Sequence, residues 1–242
     1  DPSRHMPVNV DCLAADLGRV PYPDALALMR ALGAARQRGE VPDLLLTCEH
    51  PPVITLGRGT RPEHLLLTRE DLAARGIDVA EVERGGDITY HGPGQLMLYP
   101  ILDLSRLGRD LHAFLRALER VLIEAVAAFG VAAAARPGLT GVWVGEAKLA
   151  SIGIHVSRWV TWHGAALNVS TDLDAFSAIV PCGLAGVRMT SVHALTGWAP
   201  PLGTVAEACH APFARHMACR LIPAAPEALW DLAAAVPQGA TG

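Results

Sequence analysis

The chain has 242 residues, of which 51% are hydrophobic and 18% charged, with a formal net charge of −4. This composition excludes a disordered or solvating acidic segment and supplies ample apolar material for a sizeable core. It argues against a nucleic-acid binder driven by bulk charge, and no run is long and apolar enough to read as a membrane span.

Residues 1–6, ending at Met6, read as an expression scar, and the amino terminus lacks the apolar core of a secretion signal. The remaining 7–242 are expected to form a single domain in the cytosol, with the five cysteines, Cys12, Cys48, Cys182, Cys209 and Cys219, reduced. Leu28, Met29, Leu32 and Ala35 share one face of a helix predicted over 24–38, with Asp24 as its cap and Gly39 beyond its end. Residues 44–50 and 53–57 read as strands divided by Pro51 and Pro52. Thr68 caps a short helix that stops at Gly76. Glycines then separate three strands between 79 and 102. The longest helix is predicted over 110–129, where Leu111, Phe114, Leu115, Leu118, Leu122, Ala125 and Phe129 make an apolar stripe. GVWVG, KLASIGIHV and TWHGAALNV give a second run of strands between 141 and 169. A last helix is expected over 204–221, with a Thr204–Glu207 capping box and a kink at Pro212. The tail from 223 to 242 is alanine-rich and partly helical. Strands in clusters with helices between them indicate an α/β chain of the α+β type, with a mixed sheet and flanking helices.

Four glycines punctuate RGGDITYHGPGQ, residues 84–95, and Arg84, Thr89, Tyr90, His91 and Gln95 supply donors between them. Tight hairpin turns would explain the glycines alone, but the density of polar groups suits a shaped pocket. The pattern is neither a Walker A loop nor a GxGxxG turn opening a helix, so a nucleotide phosphate site is not expected. In IVPCGLAG, Cys182 sits between proline and glycine in irregular backbone, where function concentrates. Cys12, Cys48 and Cys209 lie among apolar neighbours and read as structural; a buried structural thiol is also the ordinary fate of a cysteine such as Cys182. CHAPFARHMAC, residues 209–219, lacks zinc spacing, and its two histidines fall on different helix faces. No metal is expected.

Lys148 is the single lysine among 20 basic residues. A lysine in a strand is usually a solvated edge residue, and arginine would serve there as well. Lysine differs in offering a compact ammonium that can give up its proton when desolvated.

Together these segments resemble the LipB family of lipoyl(octanoyl) transferases. Arg84, Gly85, Gly86, Thr89, Tyr90, His91, Gly94, Gln95 and Tyr99 fit its first motif. KLASIG, HGAALNV, DLDAF and IVPCG follow in the family's order, and CEHPPVITLGR is similar to its N-terminal block. Leu149 is a local departure, where a β-branched residue is usual. The resemblance implies the fold of biotin and lipoate protein ligases. It implies an acyltransferase that moves an octanoyl group from octanoyl acyl carrier protein to a lysine of apo lipoyl domains, the first step of endogenous protein lipoylation. The acceptors would be lipoyl domains of 2-oxoacid dehydrogenase complexes and the glycine cleavage H protein. Cys182 would be the thioester nucleophile and Lys148 its partner. Arg84, Gly85, Gly86, Asp87, Ile88, Thr89, Tyr90, His91, Ser151, Ile152, Gly153, Gly164, Ala165 and Ala166 would line the substrate site. No cofactor is implied, because a thioester is already activated.

On chemical grounds, the nucleophile is the thiolate, and an ammonium ~4 Å away at an effective dielectric of ~20 favours it by about 4 kcal/mol, less where water enters. Lys148 could also take the proton of the incoming amine. His91 or His163 as base in a Cys–His pair stays open, as do an ATP-dependent lipoate or biotin protein ligase and a non-catalytic acyl-binding protein.

Overall fold

The computed structural model describes residues 10–235. The supposed scar at 1–6 and the end of the tail, 236–242, lie outside them.

Among the described residues, the elements follow in the order β1 (Val10–Arg19), α1 (Tyr22–Gln37), β2 (Asp43–Glu49), β3 (Val53–Leu56), α2 (Arg69–Ala74), β4 (Asp78–Glu81), β5 (Ile88–His91), β6 (Gln95–Ile101) and α3 (Leu111–Ala127). They continue with β7 (Ala134–Arg136), β8 (Leu139–Val144), β9 (Ala147–Ser157), β10 (Val160–Asn168), β11 (Arg188–Met189), α4 (Val192–Thr196), α5 (Leu202–His216), β12 (Cys219–Pro223) and α6 (Pro226–Ala234). The large sheet runs β12-β1-β2-β6-β10-β9-β8-β7, with β11 added beside β9. Its β12, β1 and β2 are parallel, as are β9 and β11, while β2 through β7 along the path are antiparallel. A small sheet, β4-β3-β5, stands beside it. The mixed sheet with flanking helices matches the expected class.

Strand alternation divides the large sheet into two faces. Leu96, Leu98, Ala165 and Leu167 point to the face covered by α3 and α5, where Phe114, Leu118, Leu122, Val205, Cys209 and Phe213 are buried. Met97, Tyr99 and Ala166 point to the other, covered by α1 through Ala25, Met29 and Leu32. Each large apolar side chain so buried contributes about 1.5–3 kcal/mol. The small sheet packs Ile54, Ile88 and Tyr90 against Leu72, Phe176 and Ile179.

Several local expectations hold. Thr68 accepts a hydrogen bond from Asp71 N and caps its helix as expected, and α3 starts within a residue of its expected beginning, where Asp110 accepts from Ala113 N and serves as its cap. The tail contains the helix α6. Residues 10–19, assigned no element from the sequence, form β1, with Asp16 and Arg19 at exposed positions. Others are corrected. Helix α1 begins at Tyr22 behind Pro21, and Asp24 lies in its first turn, where a carboxylate suits the helix dipole. Helix α5 begins behind Pro201, so Thr204 is not its cap. It ends at His216, the backbone turns over through Ala218 at φ 47°, and 219–223 become the edge strand β12.

Candidate active site

Cys182 and Lys148 meet at the junction of the two sheets. Lys148 Nζ lies 3.1 Å from Cys182 Sγ although the residues are 34 apart in sequence. Lys148 is 3% exposed, and Ser151 Oγ is 3.7 Å from the same sulfur.

Each partner is held by its local structure. Lys148 stands opposite Trp143 of β8 and Met189 of β11, and its carbonyl accepts from Thr190 N. Its ammonium hangs 5.4 Å from the centre of the Trp143 ring. Its stem passes directly over Gly141, which has no side chain to obstruct it. Gly141 N donates in turn to the buried Glu119 Oε1 at 2.9 Å.

The Pro181–Cys182–Gly183 turn places Cys182 in the left-handed region, at φ 55° and ψ 22°. For a residue with a side chain this costs about 1–2 kcal/mol, so neighbours must enforce it. Val180 N donates to His64 O and Leu66 N to Ala178 O, which clamps the approach to the turn. Gly183 rests on Asp87, whose carboxylate holds His64 Nδ1 at 2.7 Å and Ile88 N at 2.7 Å. Any side chain at 183 would strike that carboxylate. Gly183 N and Leu184 N donate back within the turn, to Val180 O and Pro181 O.

A cavity of about 210 Å³ opens beside the pair. Of the residues expected to line it, Arg84, Gly86, Asp87, Thr89, His91, Ser151, Ile152, Gly153, Gly164 and Ala166 do so. Ile88 and Tyr90 do not: alternation along β5 sends them into the small-sheet core, where Tyr90 meets Phe176 edge-on. Ala165 likewise faces α3 and α5 on the opposite side of the large sheet. Gly85 supports the wall from behind, donating its N–H to Ile154 O at 3.1 Å. Tyr22, Met97, Leu139 and Leu184 also line the cavity; their signal in the sequence is only apolar patterning, indistinguishable from core.

Arg84 is 8% exposed and shapes the 84–87 loop through carbonyls. It donates to Thr55 O, Thr55 Oγ1, Asp87 O and Gly85 O at 2.7–3.1 Å. Behind it, Glu83 receives Arg30 and Trp162 Nε1. His163 Nε2 sits 3.4 Å from the same carboxylate. Burial opposes ionisation of Glu83, yet His163, Arg30 and Trp162 overcome it and hold the carboxyl well below its usual range.

The deep end is a buried polar cluster. His50 joins Tyr99 OH at 2.7 Å, His91 joins Gln95 Oε1 at 2.8 Å, and Tyr22 stacks on His91 at 6.0 Å. Burial pushes the His91 imidazole down to about 3 and His50 to about 4, and it lowers His163 as well. All three are neutral at neutral pH. Neither His91 nor His163 makes a hydrogen bond to Cys182 among the described contacts, whereas Lys148 does.

Residues 21–214 match the family model of the lipoyl protein ligase A/B catalytic domain. An octanoyltransferase of Geobacter metallireducens is 50% identical over 190 residues, covering 78% of this chain and 86% of its own. One of Solibacter usitatus is 49% identical over 215 residues, covering 89% and 97%. A crystal structure of lipoate-protein ligase A bound with ATP superposes with a TM-score of 0.75 over 93% of both chains, at 18% identity, a likeness of fold. The chain therefore belongs to the lipoyl protein ligase A/B catalytic domain family, and octanoyltransferases are among its relatives at about half identity.

Proposed function

We propose that this chain transfers an octanoyl group from the thioester of an acyl carrier protein to a lysine of a lipoyl domain, through a thioester on Cys182. The observation that carries the proposal is the 3.1 Å contact between Lys148 Nζ and Cys182 Sγ at the mouth of an acyl-sized cavity. The names of the relatives support the octanoyl group as cargo. Both large cores share one sheet, which supports treating the chain as one catalytic domain.

The Cys182 thiolate attacks the thioester carbonyl carbon. A bond forms to Sγ, the bond to the carrier sulfur breaks, and Lys148 protonates the departing thiolate. The acceptor ammonium then loses one proton to solvent. Its nitrogen attacks the acyl-enzyme and gives a second proton to Lys148, now neutral, as Cys182 leaves and the amide forms. The cycle ends with the starting ammonium–thiolate pair. Sulfur-to-sulfur exchange is nearly neutral in energy, and amide formation drives the sequence forward. An adenylating ligase needs no thiol at this position, which favours the transferase over that alternative.

Incubation with octanoyl acyl carrier protein without ATP, followed by intact mass measurement, tests the proposal. Wild type is expected to gain one octanoyl group and Cys182→Ala none. No adduct on wild type, or one that persists in Cys182→Ala, overturns it.

A further inference from the structure

The cavity floor is part of the large sheet, and the strand register measures its depth. Ser151 of β9 pairs with Ala166 of β10, and Ala166 pairs with Met97 of β6. All three line the cavity. Ser151 lies beside the sulfur and is small; Ala166 is the next step inward and is smaller. Met97, 3% exposed, is the first large side chain on this line. Behind it, on β2, its register partner is the small, buried Cys48.

Adjacent strands are about 4.8 Å apart, so the line from Ser151 to Met97 spans about 10 Å. An extended eight-carbon acyl chain with bonds of about 1.5 Å reaches about 9 Å from its carbonyl carbon to its methyl end. The chain's length therefore agrees with the span from Ser151, beside the sulfur, to Met97. Two further residues of the cavity wall, Tyr99 and His91, are held in place. Tyr99 is pinned by His50, and His91 is held between Tyr22 and Gln95. Methionine, unbranched and with nothing anchoring its tip by hydrogen bond, is the side chain whose removal opens the end wall.

We infer that Met97 is the end stop that sets the upper limit of acyl-chain length, with Ala166 setting the depth of the channel leading to it. The inference rests on the transferase reading above. Met97→Ala removes three heavy atoms beyond Cβ and admits about three more carbons toward Cys48. Ala166→Val places two methyl groups on the floor midway along the channel and excludes the distal half of an octanoyl chain.

The test compares acylation rates of Cys182 by hexanoyl, octanoyl and decanoyl acyl carrier protein, read by intact mass. Met97→Ala is expected to raise the decanoyl-to-octanoyl rate ratio at least tenfold over wild type. Ala166→Val is expected to raise the hexanoyl-to-octanoyl ratio at least tenfold. A folded Met97→Ala protein with a decanoyl-to-octanoyl ratio within twofold of wild type overturns the inference. So does a wild type that accepts decanoyl and octanoyl groups equally. If Met97→Ala does not fold, an unchanged hexanoyl-to-octanoyl ratio in Ala166→Val overturns it. A wild type that takes no acyl group of any length refutes the transferase reading instead.

Discussion

Replacing Gly141 with alanine tests whether the Lys148 stem must lie where it does. Gly141 has φ +134°, and a Cβ there would sit 2.7 Å from Lys148 Cε and 2.8 Å from the Ala150 carbonyl oxygen. The contact with Lys148 Cε is relieved by the flexible lysine stem, which yields, while the contact with the β9 carbonyl stays as strain in the sheet. Withdrawing Nζ from 3.1 Å to about 6 Å from the sulfur lowers their charge–charge attraction from about 5 to about 3 kcal/mol at an effective dielectric near 20. Water admitted by the shift halves the difference to about 1.3 kcal/mol, or about tenfold in rate. Backbone strain adds about 1–3 kcal/mol of destabilisation, read separately as a lower Tm. The assay is alkylation of Cys182 by iodoacetamide at pH 7, beside octanoyl transfer; the other four cysteines are buried and give little background. Both rates are expected to fall about tenfold. Because Gly141 acts through the lysine, the double variant with Lys148→Ala should react no more slowly than Lys148→Ala alone. A folded Gly141→Ala protein with wild-type rates refutes the reasoning, and so does a fully additive loss in the double variant.

Lys148→Arg keeps a cation but cannot cycle a proton, so amide formation is expected to slow by about 10²-fold while Cys182 acylation falls less; equal turnover to wild type would leave only an electrostatic role. Asp87→Ala removes the support beneath Gly183 and the partner of His64, and about a tenfold loss of Cys182 alkylation is expected; Asp87→Asn retains an acceptor oxygen and should recover most of it. The histidine cluster predicts acid sensitivity. His50 and His91 have folded values near 4 and 3 against 6.5 when unfolded, so the unfolded chain binds more protons throughout that window. Stability is therefore full above pH ~6.5 and is lost as pH falls, by about 1.4 kcal/mol per pH unit for each histidine, until the folded values are reached. Thermal melts between pH 6.5 and 5 should show this slope, to which the buried His163 adds in the same direction, and His91→Asn should reduce it by about 1.4 kcal/mol per pH unit; an unchanged slope would mean that His91 is already exposed to solvent protons.

Much of the fold was readable because periodicity and punctuation agreed. The stripe from Phe114 to Ala125 repeats at helical spacing behind a capping aspartate, and α3 lies there. The omissions and misreadings came where tertiary contacts outweighed local pattern. In 10–19, Asp11, Asp16 and Arg19 interrupt the apolar run, yet the strand forms because both its edges are taken, by β2 and β12. Residues 219–223 continue the apolar content of α5 closely enough to suggest one helix. The left-handed Ala218 and the open edge of β1 end it instead. At the site, motifs named contiguous stretches, but strands present alternate residues to a cavity. Ile88, Tyr90 and Ala165 were swept in by their neighbours for that reason. Conversely, Met97 and Tyr22 carry no polar signal, and their place is visible only once the strand register is known.

The lone lysine acquires a physical reason that composition could not supply. Its stem crosses β8 in the space left by one missing side chain, between the Gly141 backbone and the Trp143 ring, and ends as a single nitrogen against sulfur. A guanidinium is planar, carries five N–H donors and needs acceptors in its plane to be buried. Arg84 shows what that takes in this same cavity: its buried guanidinium engages carbonyls of Thr55, Gly85 and Asp87 and a hydroxyl besides. Among the described contacts, the Lys148 ammonium has one hydrogen-bond acceptor, the Cys182 sulfur, and an aromatic face beside it. The steric slot favours lysine, and the proton chemistry of the proposed mechanism favours it separately. They can be separated by experiment, because Gly141→Ala disturbs the slot and its backbone but leaves an amine that can carry the proton, whereas Lys148→Arg disturbs both slot and proton carrier. If the slot alone mattered, the two variants would lose acylation and amide formation in the same proportion. The proton cycle requires Lys148→Arg to lose more in the second step than in the first.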